Sequence, residues 1–409
     1  MWARGRALQR LREPEHAKQA MKRTTGQYQR ALAGSEEVFA FVPFPLPPRQ
    51  PSLALDHRIG ERLRAAEHAL ARLDLASAMV PSLDWFLYAF VRKEAVISSQ
   101  IEGTQATLVD LLIFEAAHEG SPDADVEEVC NYLDALSFAR GELAKADGLP
   151  LSMRLLNEAH RRLMHGVRGA SKQPGEVRRS QNWIGGSRPG NAAYVPPPPP
   201  MLPDLLGDLE KYLHAEDDHP PLVRAGLAHV QFETIHPYLD GNGRIGRLLI
   251  ALLLEHWGLL QAPLLYLSLY FKRHREEYYR RLNAVRIEGD WEGWTIFFLD
   301  GVATIADEAV ASARELFGVV HADRGRVLAQ DTTSVSAARL FELLPRHPII
   351  TVAAAMRLID TSKPTATRAI ETLAAAGVLV ETSGKRRDRS FAYQAYIDRL
   401  RTGTELERG

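Results

Sequence analysis

Apolar residues recur at helical spacing along most of the chain. From about His57 to Leu143, Leu63, Ala66 and Leu70, then Phe86, Phe90, Ile97 and Ile101, fall on helical stripes, which predicts several packed helices. A second helical region runs from about Leu151 to the neighbourhood of Leu299. It is broken once, from Gln173 to Met201, by a stretch dense in Gly, Pro and Asn that closes on consecutive prolines, Pro196 to Pro200. That break predicts a protruding hairpin or flap. Upstream, Phe39 to Pro51 holds too much proline for a helix or a central strand and predicts an extended, polyproline-like strap along the surface. After about Phe317 the periodicity weakens, Ala329 to Ser334 is mostly polar, and a compact segment starts near Val335. The expected fold is mainly α, in four parts: a leader and proline-rich strap over 1–56, a helical region over 57–145, a helical core with flap over 146–317, and a small domain over 335–409.

The last part has its own pattern. Thr351 to Leu379 contains two helical stretches separated by a polar turn, with Pro364 suited to the first position of the second. Val380 to Tyr393 reads as a hairpin with Lys385, Arg386, Arg387 and Arg389 at its tip, so that the whole resembles a winged helix-turn-helix. Lys363, Arg368 and the wing suit DNA phosphates and grooves, which makes DNA a candidate partner. A wing that packs against another domain or a second copy accounts for the same residues, and fold resemblance does not decide between the two.

Composition narrows the setting. The chain has 409 residues and a formal net charge of -1, which argues against a globally basic nucleic-acid binder or a polybasic membrane protein. Its single cysteine, Cys130, makes no internal disulfide and no cysteine-based zinc site, so a cytoplasmic location is expected. No membrane partner is expected, because no run approaches the roughly 18 to 20 apolar residues of a spanning helix. The first residues read as a basic leader without a secretory h-region, and Met21 is an alternative start.

The chemistry concentrates in His236-Pro-Tyr-Leu-Asp-Gly-Asn-Gly-Arg-Ile-Gly-Arg247. Val223, Leu227, Val230 and Thr234 before it, and Ile245, Leu248, Leu249, Leu252 and Leu253 after it, keep helical spacing, so the segment joins two helices. Pro237 disfavours helical geometry at His236 and should leave its imidazole at the first helix's end. Gly241 and Gly243 permit close backbone approach, Asn242 is a suitable N-cap, and the exposed N–H groups of the second helix form an anion site. Arg244 and Arg247, three apart, offer guanidinium forks to phosphate oxygens. Asp240 supplies an oxygen suited to magnesium, and His236 has the pKa range of a general base. Gly241, Gly243 and Gly246 match GxGxxG, but that dinucleotide fingerprint requires a preceding strand, and the Walker pattern GxxxxGK(S/T) is absent.

These residues resemble the signature of the Fic family, HPFx(D/E)GN(G/K)RxxR, with Tyr238 in place of the phenylalanine. The resemblance implies a mainly α, Fic-type helical bundle with a β-hairpin flap. It implies that His236 deprotonates a target hydroxyl, which attacks the α-phosphate of ATP and expels pyrophosphate. Asp240 would hold Mg2+, while Gly241, Asn242, Gly243, Arg244, Ile245, Gly246 and Arg247 would surround the phosphates. Pro174 to Gly186 and Asn191 to Pro199 look like the two strands of the family's flap, with Tyr194 and Val195 towards the nucleotide. Leu264 to Leu282 looks like the helices around the adenine, with Tyr270, Tyr278 and Tyr279 as ATP contacts; His274 stands where the family commonly has asparagine.

Ser98-Ser-Gln-Ile-Glu102-Gly103 matches the family's inhibitory pattern, (S/T)xxxE(G/N). Spacing of four puts Ser98 and Glu102 on one helical face, and Gly103 is a plausible helix end. By resemblance, Glu102 pairs with Arg247 and leaves ATP in a nonproductive pose. The expected activity is therefore an autoinhibited protein adenylyltransferase acting on Ser, Thr or Tyr hydroxyls of target proteins and of itself, as a homodimer. Two other readings use the same residues: removal of AMP from modified proteins with Glu102 orienting a water, and a nucleotide-sensing, DNA-binding regulator.

Overall fold

The computed structural model describes residues 23–49, 51–79, 83–117, 122–167, 169–330, 334–384 and 389–406. Met21 and the wing-tip residues Lys385, Arg386 and Arg387 lie outside them. The described chain opens on a β-hairpin, β1 (Gly26–Ala33) and β2 (Glu36–Pro43), antiparallel in the register Gly26↔Pro43 to Ala33↔Glu36. The expected strap therefore begins later than its composition suggested. Phe39 to Val42 pair as a strand, with Phe39 exposed and Ala40, Phe41 and Val42 buried, and Pro43 can end it because it has no N–H to donate. The hairpin leans on the flap region through Phe41 N–H to Val195 O (2.9 Å) and a small cluster of Ala33, Val38, Ala40 and Val195.

Helices follow: α1 (His57–Met79), α2 (Leu83–Ile101), α3 (Leu108–Ala117), α4 (Ala124–Ala144) and α5 (Met153–Leu163). Asp123 caps α4 by accepting from the backbone N–H of Asp125 and Val126, and Ser152 caps α5. After the flap come α6 (Leu202–His214), α7 (Pro221–Ile235), α8 (Asn242–His256), α9 (Ser268–Arg273), α10 (Arg275–Glu288) and α11 (Trp291–Leu328). α7 and α8 are buried on nearly every face, which makes them the centre of the bundle. The other helices wrap them, and α1 lies along α11.

Two expectations change here. The expected core boundary near 317 is not a helix end: α11 continues to Leu328, because Leu316, Val320 and Val327 carry its buried stripe past that point. The flap is also not a regular two-stranded hairpin. Pro174 to Pro199 contains one β-bridge, Ile184↔Tyr194, and a 3-10 turn, Pro189–Asn191, and is otherwise irregular, in keeping with its six prolines.

The final part contains α12 (Val335–Leu343), β3 (Ile349–Thr351), α13 (Val352–Leu358), α14 (Lys363–Ala375), β4 (Val380–Glu381), β5 (Ser390–Ala392) and α15 (Gln394–Leu400). Its three strands are antiparallel in the order β3-β5-β4. Pro364 sits at the second position of α14 rather than the first, after Ser362. α15, which the sequence reading did not separate, packs back on α11. Among the described residues, no helix is long and apolar enough to cross a membrane.

Trp294 joins α11 to the centre of the bundle. It is fully buried, and its indole N–H donates to Gly226 O of α7 at 2.9 Å. Trp294→Ala is expected to cost about 3 to 5 kcal/mol in equilibrium urea unfolding; a loss below about 1 kcal/mol would show that this contact does not hold α11 to the core.

Candidate active site

His236 ends α7 in the left-handed region (φ 50°, ψ 62°), and its N–H still bonds Phe232 O at 2.9 Å. That turn is fixed from outside by Arg178, a fully buried side chain of the flap. Arg178 donates to His236 O (3.0 Å), Ser180 O (3.3 Å) and Pro197 O (2.6 Å), while its N–H donates to Pro237 O (2.9 Å). One guanidinium thus joins both arms of the flap to the loop. Burial, with the Arg178 cation adding to it, lowers the His236 imidazole to about 4. At neutral pH it is uncharged and able to take a proton.

The expected N-cap role of Asn242 is corrected. Gly241 (φ 76°) occupies the cap, and Asn242 is the first residue of α8. Its amide is used inside the loop: Oδ1 accepts from Tyr238 N (2.8 Å), and Nδ2 donates to Tyr238 O (2.8 Å). Tyr238 itself stacks on His160, ring centres 3.8 Å apart, and its hydroxyl donates to Asn157 Oδ1 at 2.8 Å. The hydroxyl that distinguishes tyrosine here from phenylalanine is thereby satisfied. His160 Nδ1 accepts from Gly175 N (2.8 Å), so Nε2 carries the hydrogen and donates to Asp240 O (3.0 Å).

The arginines of α8 point to different partners. Arg247 is buried and has three bonds to α2: Nε to Ser98 Oγ (2.9 Å), Nη2 to Ser98 O (2.8 Å) and Nη2 to Glu102 Oε1 (2.8 Å). Burial raises the Glu102 carboxyl, but Arg247, with Arg244 adding to it, outweighs this and holds the group below its ordinary value. Gly243 makes this pair possible, since a Cβ there would collide with Glu102 Oε1 and crowd Arg247. Arg244 is buried as well, against Glu128 (3.3 Å) and the sulfur of Met164 (3.6 Å). Asp240 is half-exposed at the rim of the loop, with Oδ1 accepting from Gly241 N at 2.6 Å.

Glu102, Tyr194, His236, Gly243, Arg247, Tyr278 and Tyr279 line one cavity of about 640 Å³. It lies between α2, α7, α8, α10 and the flap, a size suited to a nucleotide-like ligand. Tyr278 is a fixed wall, buried and bonded to His229 Nε2 (2.8 Å). Tyr194 donates to Thr234 O (2.5 Å) under the Arg286 guanidinium, which lies 3.9 Å from its ring centre. Tyr270 does not reach the cavity; it packs on Phe297 and over Gly301, where helix α11 approaches α9. Val195 likewise turns to the N-terminal hairpin, and Ile245 is core. Gly241, Asn242, Gly246, Arg244 and Asp240 shape the loop without lining the cavity, while Ser98 and Gly103 (φ 102°) belong to the end of α2.

The sequence reading missed Arg178, Glu128 and Glu233. Glu233, one helical turn before His236, lines the cavity with a buried, unpartnered Oε1, and burial raises its carboxyl to about 7. Its spacing of three from His236 was a usable signal. Arg178 and Glu128 had none, because they act across long sequence separations. Trp183, Asn283 and Arg286 complete the walls.

Two family models match in tandem: the Fic/DOC family N-terminal region over residues 60–140 and the Fic/DOC family over 150–254. A relative from Culex quinquefasciatus with the name Protein adenylyltransferase Fic is 29% identical over 272 residues, 64% of this chain and 49% of its own length. One of the same name from Aedes aegypti is 30% identical over 250 residues, 59% of this chain and 46% of its own. The chain spans about half the length of these curated relatives. Among solved structures, a Fic family protein from Desulfovibrio desulfuricans G20 shares the fold, with a TM-score of 0.55 and 22% identity over 84% of this chain and 98% of its own.

The buried, cation-flanked position of His236 has a direct signature. Its imidazole should titrate near pH 4 by NMR; a midpoint near the ordinary value of about 6.5 would contradict this site geometry.

Proposed function

We propose that the chain, which the Fic/DOC family models match over residues 60–140 and 150–254, is an autoinhibited protein adenylyltransferase. It transfers AMP from ATP to a hydroxyl side chain of a target protein, or of itself, and releases pyrophosphate. The observation that carries this reading is the Glu102–Arg247 pair at 2.8 Å, set in the cavity that also holds the neutral His236.

In this mechanism the His236 imidazole accepts the proton of the target hydroxyl as its oxygen bonds the α-phosphorus. The bond between that phosphorus and the bridging oxygen breaks, and pyrophosphate leaves with the electron pair. The first N–H groups of α8, with Arg244 and Arg247, supply positive potential to the phosphates. Asp240 fits a magnesium ion that is shared with substrate phosphates: its carboxylate is half-exposed, and magnesium needs only one or two protein carboxylates. Such an ion neutralises phosphate charge. The irregular flap offers Ile184 to Tyr194 to an extended target segment.

Glu102 withholds Arg247 because carboxylate and phosphate compete for the same fork. Removing the carboxylate frees a charge-assisted contact, so Glu102→Gly is expected to raise AMP transfer at least about tenfold, while His236→Ala abolishes it. Mass spectrometry of the purified chain after incubation with Mg-ATP would show a gain of one AMP, strongest in Glu102→Gly. Equal labelling of wild type and Glu102→Gly would overturn autoinhibition, and labelling of His236→Ala would overturn its role as base.

A further inference from the structure

The last turn of α2 is tightened. Glu102 N and Gly103 N bond three residues back, to Ser99 O (3.0 Å) and Gln100 O (3.0 Å), rather than four, and Thr104 N closes the turn on Ser99 O at 3.2 Å. Such tightened ends fray unless something outside the helix fixes them. Here α4 does so. Glu128 Oε2 accepts the Thr104 hydroxyl at 2.7 Å, and Asp125 Oδ2, one turn earlier, accepts Gln105 N–H at 2.7 Å. Thr104 and Glu128 are both essentially buried.

The same oxygen, Glu128 Oε2, also accepts from Arg244 Nη1 at 3.3 Å. Arg244 supplies positive charge to the carboxylate, and a neutral hydroxyl adds none, so the Thr104 bond is not there for neutrality. What it adds is a link between the residue two positions beyond Glu102 and an arginine of the phosphate loop. Arg244 and Arg247 are on one helix, so a single carboxylate of α4 fixes the loop's first arginine and, through Thr104, the turn that engages its second.

From this we infer that Glu128 is a positioning residue that sets Arg244 for phosphate and holds Glu102 in register with Arg247. The inference rests on the reading of Glu102 as an inhibitory carboxylate. Any movement of Arg244 towards an incoming phosphate draws on the oxygen that anchors the inhibitory turn. The nucleotide therefore loosens its own block in part.

Thr104→Val removes the hydroxyl and keeps the shape; Thr104→Ser keeps the hydroxyl. Hydrogen exchange of the amides in 102–105 should accelerate about tenfold in Thr104→Val, the worth of one bond to a charged group, and stay at the wild-type rate in Thr104→Ser. AMP transfer should rise about tenfold in Thr104→Val, yet change less than about twofold when the substitution is added to Glu102→Gly. In the Glu102→Gly background, Glu128→Gln should weaken Mg-ATP binding by calorimetry several-fold, whereas Thr104→Val should not. Unchanged exchange in Thr104→Val overturns the anchor. Faster exchange without added transfer, while Glu102→Gly is active, overturns the coupling, and unchanged Mg-ATP affinity in Glu128→Gln overturns the role at Arg244. If Glu102→Gly itself transfers no AMP, the adenylyltransferase reading fails, and exchange and Mg-ATP affinity alone decide the role of Glu128.

Discussion

A buried guanidinium must have its donors satisfied, and Arg247 is the charge on which this structure turns. The bundle places it with only a few per cent of its side chain exposed, one turn into α8, facing α2. In the state described, Glu102 and Ser98 satisfy it. A phosphate entering the cavity must displace that carboxylate or bind away from Arg247. The fold has thus built a site whose strongest donor already has a partner from the same chain.

The surrounding architecture makes this competition geometric rather than diffuse. α7 and α8 are held in the centre of the bundle, and the loop between them is fixed by Arg178, Asn242 and His160, each bonding backbone groups. A loop so constrained positions His236 without relying on ligand. Gly243 then allows Glu102 to approach α8 closely enough to reach Arg247. The uncharged imidazole, Glu233 with its unpartnered Oε1 and the flap wall of Tyr194 and Ile184 enclose the rest of the cavity.

Much of this was legible in the sequence where the determinant is local. Helical spacing on either side of His236, proline after it and glycines within the loop define a helix-loop-helix, and spacing of four ties Ser98 to Glu102. What the sequence did not disclose depends on distant packing. Arg178 and His236 are 58 positions apart, and Glu128 and Arg244 are 116 apart. Asn242 had the composition of a cap, but Gly241 takes the left-handed cap position and frees the amide for Tyr238. Tyr270 carried the same aromatic signal as Tyr278, yet the close approach of α11 at Gly301 draws it into packing. The strand within the proline-rich strap and the continuation of α11 were likewise set by partners that periodicity alone does not name.

The central claim, that Glu102 and the terminal phosphate of ATP contend for Arg247, is tested most directly by comparing nucleotide affinities. Calorimetric titration of wild type and Glu102→Gly with Mg-ATP and with AMP separates phosphate competition from a general opening of the cavity. The expected result is a gain of about tenfold for ATP in Glu102→Gly, the worth of one charge-assisted bond, with AMP affinity unchanged. An equal gain for both nucleotides, or none for ATP, would contradict the claim.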